Sequence, residues 1–236
     1  MSRITEKRDV QDRLINYLSG IGWHFIGQYD LPEWRNHDES EPFLIATLRG
    51  QLAALNSWTA DDPRIDEVIR RLRLLPATLE GNEQYVHGLR GGWTVYDPVA
   101  QRERNVTLID YETLSANTFH FTEEMWFADR DRRRMDIVLF VNGLPVILIE
   151  NKSPKLEDPG LEGFTQVQET YTQQIPEFIK YPIPFAVCAS RLEYGATWNP
   201  SLKAFYKWKV NGRDFGLEDL SKSFFDRTQV LRLLRD

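Results

Sequence analysis

The sequence predicts an α/β fold: a central mixed sheet flanked by helices, with a helical insertion in the N-terminal part. Three observations carry this. The segments Asp136-Ile-Val-Leu-Phe-Val141 and Val146-Ile-Leu-Ile-Glu150 are apolar without polar alternation, as strands covered on both faces are. Apolar residues recur at helical spacing before Gly92 and again beyond position 160. At Gly92 the texture changes, and short β-rich runs follow.

In chain order, a helix is predicted over 6–19, where Val10, Leu14, Ile15 and Leu18 share one face and Gly20 stops it. Trp23-His-Phe-Ile-Gly27 reads as a short strand. From Glu41 to about Arg90 the pattern is helical. Pro42 stands in a first-turn position before Ile45, Leu48, Leu52 and Leu55; Asp61-Asp62-Pro63 starts a second helix carrying Ile65, Val68, Ile69 and Leu72; a third covers 81–89. Strands are expected at Trp93–Tyr96, Val106–Ile109 and Thr118–Phe121, then at 136–141 and 146–150. A helix at 162–175, a strand at 183–189 and a helix at 227–235 complete the outline. The reading is one domain over 1–236, with an insertion at 41–90 and a sheet core at 93–189. The last helical pattern has no stop signal and is expected to lead into a further region.

The chain has 236 residues, 42% hydrophobic and 27% charged, enough for a core without long disorder. No apolar run approaches the roughly 18 residues of a membrane span, and the N-terminus lacks the apolar stretch of a secretory signal. One cysteine, Cys188, excludes an intrachain disulfide and a cysteine-built zinc site; it reads as a small buried hydrophobe. A cytoplasmic location is expected. The net charge of −6 argues against a strong electrostatic grip on nucleic acid by this chain alone, yet it fits clustered metal-binding carboxylates.

Chemistry concentrates between 136 and 152. Asp136 opens one apolar strand, and Glu150 and Lys152 close the next on one face. Charged groups at the ends of buried strands need compensation. A divalent cation is one answer, since carboxylate oxygens suit Mg²⁺ and Lys152 could orient water or stabilise charge on phosphorus. A buried Glu–Lys pair tying off a sheet edge is the other. The metal reading makes a demand on geometry. An ideal two-residue turn at Asn142-Gly143 pairs 141 with 144 and 136 with 149, leaving Asp136 and Glu150 on opposite faces. One extra residue must therefore be absorbed, by a bulge near Leu144–Pro145 or by a three-residue loop.

The segment Arg133–Pro154, with its D-x13-E-x-K pattern, resembles the nuclease segment of the restriction (motor) subunit of type I restriction-modification enzymes. Val106-Thr-Leu-Ile-Asp-Tyr111, Tyr171-Thr-Gln-Gln-Ile-Pro176 and Ala204-Phe-Tyr-Lys-Trp-Lys209 are similar to further stretches of that family. The resemblance implies a PD-(D/E)xK, restriction-endonuclease-like fold and Mg²⁺-dependent hydrolysis of double-stranded DNA, with Asp136 and Glu150 on the metal and Lys152 catalytic. It also implies partnership with modification and specificity subunits, and ATP use only through motor regions absent from this chain. Met135 replaces the usual proline and Asn151 a common hydrophobic residue. Where the family has a glutamine four residues before its helix tyrosine, Val167 stands, between Gln166 and Gln168. In an α-helix only Gln168 shares the face of Tyr171, so Gln168 is assigned with Tyr171 to support DNA or the site. Glu6 is a further metal candidate, or a helix-start carboxylate favoured by the macrodipole.

Arg133 and Arg134 belong to a basic stretch that could contact phosphates, or form a solvated loop with Asp129 and Asp131. The four histidines lack metal spacing, and the seven tryptophans are scattered, which assigns them to core and anchor roles. No glycine-rich loop followed by Lys-Ser/Thr is present. The rival class is a non-catalytic DNA-binding or docking module retaining the fold.

Overall fold

The computed structural model describes residues 10–213 and 215–236. The first described helix is α1 (Asp12–Gly20), followed by β1 (His24–Ile26) and α2 (Leu31–Trp34). Three helices come next: α3 (Ile45–Asn56), α4 (Pro63–Arg73) and α5 (Leu79–Leu89). The Asp62 carboxylate caps α4, accepting from the Arg64 N–H ahead of Pro63 at the first helical position. A two-stranded ribbon, β2 (Thr94–Asp97) and β3 (Arg102–Asn105), separates these from β4 (Phe119–Ala128), β5 (Arg132–Val141) and β6 (Leu144–Asn151). A helical stretch then runs from α6 (Pro159–Thr165) through a π-helical segment (Gln166–Tyr171) into α7 (Thr172–Gln174), followed by α8 (Pro176–Ile179). The chain closes with β7 (Pro184–Cys188), β8 (Leu192–Ala196), β9 (Phe205–Lys207), α9 (Leu217–Phe224) and α10 (Arg227–Arg235).

The main sheet among the described residues has seven strands in the order β1-β4-β5-β6-β7-β8-β9. β1 pairs parallel with β4, and β6 with β7; the other pairs are antiparallel, so the sheet is mixed. Two apolar clusters cover its faces. One joins α1, α3–α5, α9 and α10 to Ile137, Leu139, Ile147 and Ile149; the other joins Phe164, Val167 and Phe178 to Val138, Phe140 and Leu148. Every residue of β6 is buried, which accounts for its unbroken apolar run.

The β5–β6 turn holds Asn142 at φ 55° and Gly143 at φ 80°, the left-handed pair of a type I′ turn. Beyond it Val141 pairs with Leu144 and Phe140 with Pro145, but Leu139 pairs with Ile147. Val146 is thus the absorbed residue, one position past the expected bulge, next to a proline with no donor to lose. The turn also seats α3: the Gly143 carbonyl accepts from the Leu44 N–H at 3.0 Å, and a Cβ at Gly143 would stand 2.6 Å from the Leu44 carbonyl oxygen. Gly143→Val is expected to cost about 2–4 kcal/mol in urea unfolding, combining left-handed strain with a backbone clash. A loss below about 0.5 kcal/mol would contradict that account.

One predicted strand is corrected. Val106–Ile109 is buried but irregular, because side chains replace a ladder: the Asn56 amide oxygen accepts from the Thr107 N–H, and the Asn142 amide donates to the Leu108 carbonyl. The strand lies just before it, at Arg102–Asn105, where every residue is exposed. Of the helix predicted over 6–19, residues 6–9, including Glu6, fall outside the described residues. Among the described residues no helix is long and apolar enough to cross a membrane.

Candidate active site

The Val146 bulge puts Asp136 in register with Glu150. The last paired positions are Ile137 and Ile149, and beyond them β5 and β6 part. In the gap the Asn151 N–H finds no backbone acceptor on β5 and donates to Asp136 Oδ2 at 2.8 Å. Asp136 thereby stands in for a ladder carbonyl at the mouth of the opening. On its other side β5 loosens from β4 as well. Glu123 pairs with Ile137 and Met125 with Met135, but Glu124, at φ 49°, and Asp136 are not paired. Phe121 packs in one apolar cluster and Met125 and Phe127 in the other, so β4 switches faces at Glu124.

Glu150 is fully buried. Its Oε1 accepts from the Tyr171 hydroxyl at 2.9 Å, and Lys152 Nζ lies 3.4 Å from its Oε2. Lys152 Nζ also donates to Gln166 Oε1 at 2.6 Å, and Gln166 Nε2 donates to the Tyr171 hydroxyl at 2.6 Å. Glu150, Lys152, Gln166 and Tyr171 therefore close a ring of contacts that fixes the lysine. Burial, with Asp136 as a lesser cause, pushes the Glu150 carboxyl up to about 8. Burial also raises Asp136, against the Asn151 N–H and Lys152, which lower it. Two acids this reluctant to ionise, with Lys152 beside both and Arg134 acting on Asp136, form a site short of positive charge.

Among the described residues no three His, Cys, Asp or Glu converge as a metal-ligand set. Two carboxylates set in register where β5 and β6 part nevertheless suit Mg²⁺, which retains much of its hydration and commonly uses only one or two protein carboxylates. The residues present fit such an ion.

The glutamine assignment is corrected. It is Gln166, five residues before Tyr171, that reaches the tyrosine and the lysine, while Gln168 Nε2 donates to the Thr197 carbonyl at 3.0 Å. The reason is the π-helical segment Gln166–Tyr171, in which i→i+5 bonding brings residues five apart onto one face. Arg133 is tied to Gln174 and, at 2.6 Å, to Asp131. The Arg134 guanidinium pairs with Glu124 at 3.6 Å, and its carbonyl lies 3.1 Å from the Tyr171 hydroxyl. Glu124 escaped the sequence reading; its trace there is an acidic pair, Glu123-Glu124, inside a strand rich in aromatic residues.

The family model described as "Type I restriction enzyme R protein N terminus" matches residues 3–200. Over 230 residues, 93% of this chain, it is 24% identical to the putative type I restriction enzyme MjaVIIIP endonuclease subunit of Methanocaldococcus jannaschii, covering 21% of that protein. Over 215 residues, 86% of this chain, it is 25% identical to the type I restriction enzyme HindI endonuclease subunit of Haemophilus influenzae, covering 20% of it. A 127-residue stretch, half of this chain, is 31% identical to the putative MjaVIIP endonuclease subunit of M. jannaschii, 12% of whose length it covers. The chain spans about a fifth or less of the length of these relatives.

Proposed function

The chain belongs to the family of type I restriction enzyme R protein N-termini, and from that premise we propose that it is a Mg²⁺-dependent endonuclease domain hydrolysing DNA phosphodiester bonds. The observation that carries the proposal is the bulged register that sets Asp136 against Glu150 where β5 and β6 part, with Lys152 two residues on. That juxtaposition is what a PD-(D/E)xK nuclease requires. Asp136 and Glu150 would hold the cation, which when bound would supply Lewis acidity toward the phosphate. Lys152 orients the attacking water or stabilises charge gathering on the phosphate oxygens. Gln166 and Tyr171 hold the ammonium and the Glu150 carboxylate in place, and Arg133 and Arg134 serve phosphates nearby. By the same reading the domain works in the cytoplasm within a longer R subunit that joins modification and specificity subunits, and ATP acts only through motor regions beyond this chain.

The test is plasmid cleavage by the natural R subunit assembled with its partners. Cleavage should require Mg²⁺ and stop with EDTA; DNA binding without cleavage under every metal condition would favour a non-catalytic docking module. The π-helical geometry adds a finer expectation. Gln166→Ala unmoors Lys152 and should slow cleavage by about 10- to 100-fold, as loss of an orienting partner typically does. Gln168→Ala should stay within about threefold of the parent, since its side chain is spent on the Thr197 carbonyl. Equal losses in both variants would refute the correction.

A further inference from the structure

Of the seven tryptophans, only Trp126 is exposed, at 38%. It faces Arg134 across the β4–β5 ladder, two residues and so about 7 Å along the strand from Asp136. One side of its indole is covered by the Arg132 guanidinium, 3.9 Å from the ring centroid. That guanidinium is fixed in turn by two bonds to the Glu39 carboxylate, at 2.7 and 2.8 Å. Trp126 is thus an aromatic plate flanked by two guanidinium groups, that of Arg132 and, 6.0 Å from the ring centroid, that of Arg134, and it remains partly open to solvent. It lines a groove shared with Arg132, Arg133, Arg134, Glu162, Gln166 and Tyr171, and the last two belong to the ring of contacts around Lys152, so the groove borders that ring. Arg133 pairs there with Asp131 through a half-exposed contact, which exchanges readily for phosphate, and the half-exposed Arg134 guanidinium lies 3.6 Å from the mostly buried Glu124.

A basic track ending on an exposed aromatic plane is how proteins hold single-stranded nucleic acid: guanidinium groups follow the backbone and a ring stacks on a base. We propose that Trp126 is a stacking platform for an unpaired base of a DNA strand whose backbone runs along this groove into the Asp136–Glu150–Lys152 site. The proposal rests on the nuclease reading for the identity of the strand and adds the state in which the strand is held. A stacked duplex hides the base faces, so the platform discriminates in favour of unpaired DNA beside the bond to be cut.

Binding of dye-labelled oligothymidylate, and of a duplex of equal length, is measured in EDTA so that nothing is cleaved. Trp126→Ala should weaken single-strand binding about tenfold or more and duplex binding less than threefold, with Trp126→Phe near the parent. A 2-aminopurine placed in the oligonucleotide should be quenched by the parent and less so by Trp126→Ala, a signature that altered folding alone does not produce in the parent. Equal loss on both DNAs, no loss on either, or no single-strand binding by the parent would overturn the platform. Cleavage in Mg²⁺ by the Lys152→Ala variant is scored separately, as the readout of the nuclease reading. If Lys152→Ala also cleaved at the parental rate, the nuclease reading would fall while the stacking contrast stood. If cleavage vanished with Lys152 but the contrast were missing, only the platform would fall.

Discussion

Asp136→Asn and Glu150→Gln are expected to abolish metal-dependent DNA cleavage, and Lys152→Ala to slow it by about a hundred- to a thousandfold, without unfolding the protein. The choice of substitutions follows from the contacts. Asp136→Ala would strand the buried Asn151 N–H, which now donates to Asp136 Oδ2, at a cost of about 1–3 kcal/mol. Asparagine keeps an acceptor there while losing the charge a cation needs. Glutamine at 150 likewise keeps an acceptor for the Tyr171 hydroxyl. Lys152→Ala removes the one ammonium that partly neutralises Glu150, so calorimetric titration with Mg²⁺ should find the cation bound at least as tightly as in the parent. Separating turnover from metal binding is the diagnostic result. If Lys152→Ala cut DNA at the parental rate, its catalytic role would be gone; if Asp136→Asn and Glu150→Gln bound Mg²⁺ as the parent does, the cation lies elsewhere.

Much of the site's scaffold is legible in the sequence, for reasons that can be named. Asn142-Gly143 specifies a tight turn because both positions need positive φ, and the unbroken apolar runs on either side specify buried strands. From the register that turn sets, and from the requirement that Asp136 and Glu150 share a face, comes the demand for one absorbed residue, which the structure meets at Val146. Legibility stops where geometry departs from a regular period. Gln166 is invisible to a helical-face argument because a π-helical segment changes the spacing that counts as adjacent, and no residue type announces that segment. Glu124 is hidden because the β4–β5 ladder opens opposite Asp136, which alternation along one strand cannot reveal. Val106–Ile109 misled because apolar residues report burial, while Asn56 and Asn142, far away in sequence, satisfy the backbone that a strand would otherwise require. The core-and-anchor reading holds for the six tryptophans that are buried or half-buried; Trp126 departs from it because the fold lifts it onto the surface beside the site.

The metal-free protein is expected to lose stability as pH rises through neutrality, and Mg²⁺ is expected to restore it. The Glu150 carboxyl moves from its ordinary 4.5 up to about 8, because burial first, and Asp136 next, penalise its charge. Between those values the folded state holds a proton that the unfolded chain has released. The unfolding free energy therefore falls with pH across that window, by at most roughly 1.4 kcal/mol per pH unit for this one proton, and levels off above it. Asp136, also raised, contributes with the same sign. His120 opposes it lower down: burial, helped by His24, depresses that imidazole from 6.5 to about 4, so its contribution makes stability rise with pH over that range. Above 6.5 the histidine is silent and the Glu150 slope stands clear. Glu150→Gln carries no such charge, so the variant should gain on the parent as pH rises from 4.5 to about 8 and match or exceed it at the upper end. A cation on Asp136 and Glu150 favours their ionised forms, so excess Mg²⁺ should raise the parent's Tm near pH 8 and do little near pH 4.5. Thermal unfolding of parent and Glu150→Gln, with and without Mg²⁺, reads all of this in one experiment. A parent–variant difference that did not change with pH, or a Mg²⁺ effect equally large in Glu150→Gln, would show that the two carboxylates do not form the strained, cation-seeking pair described above.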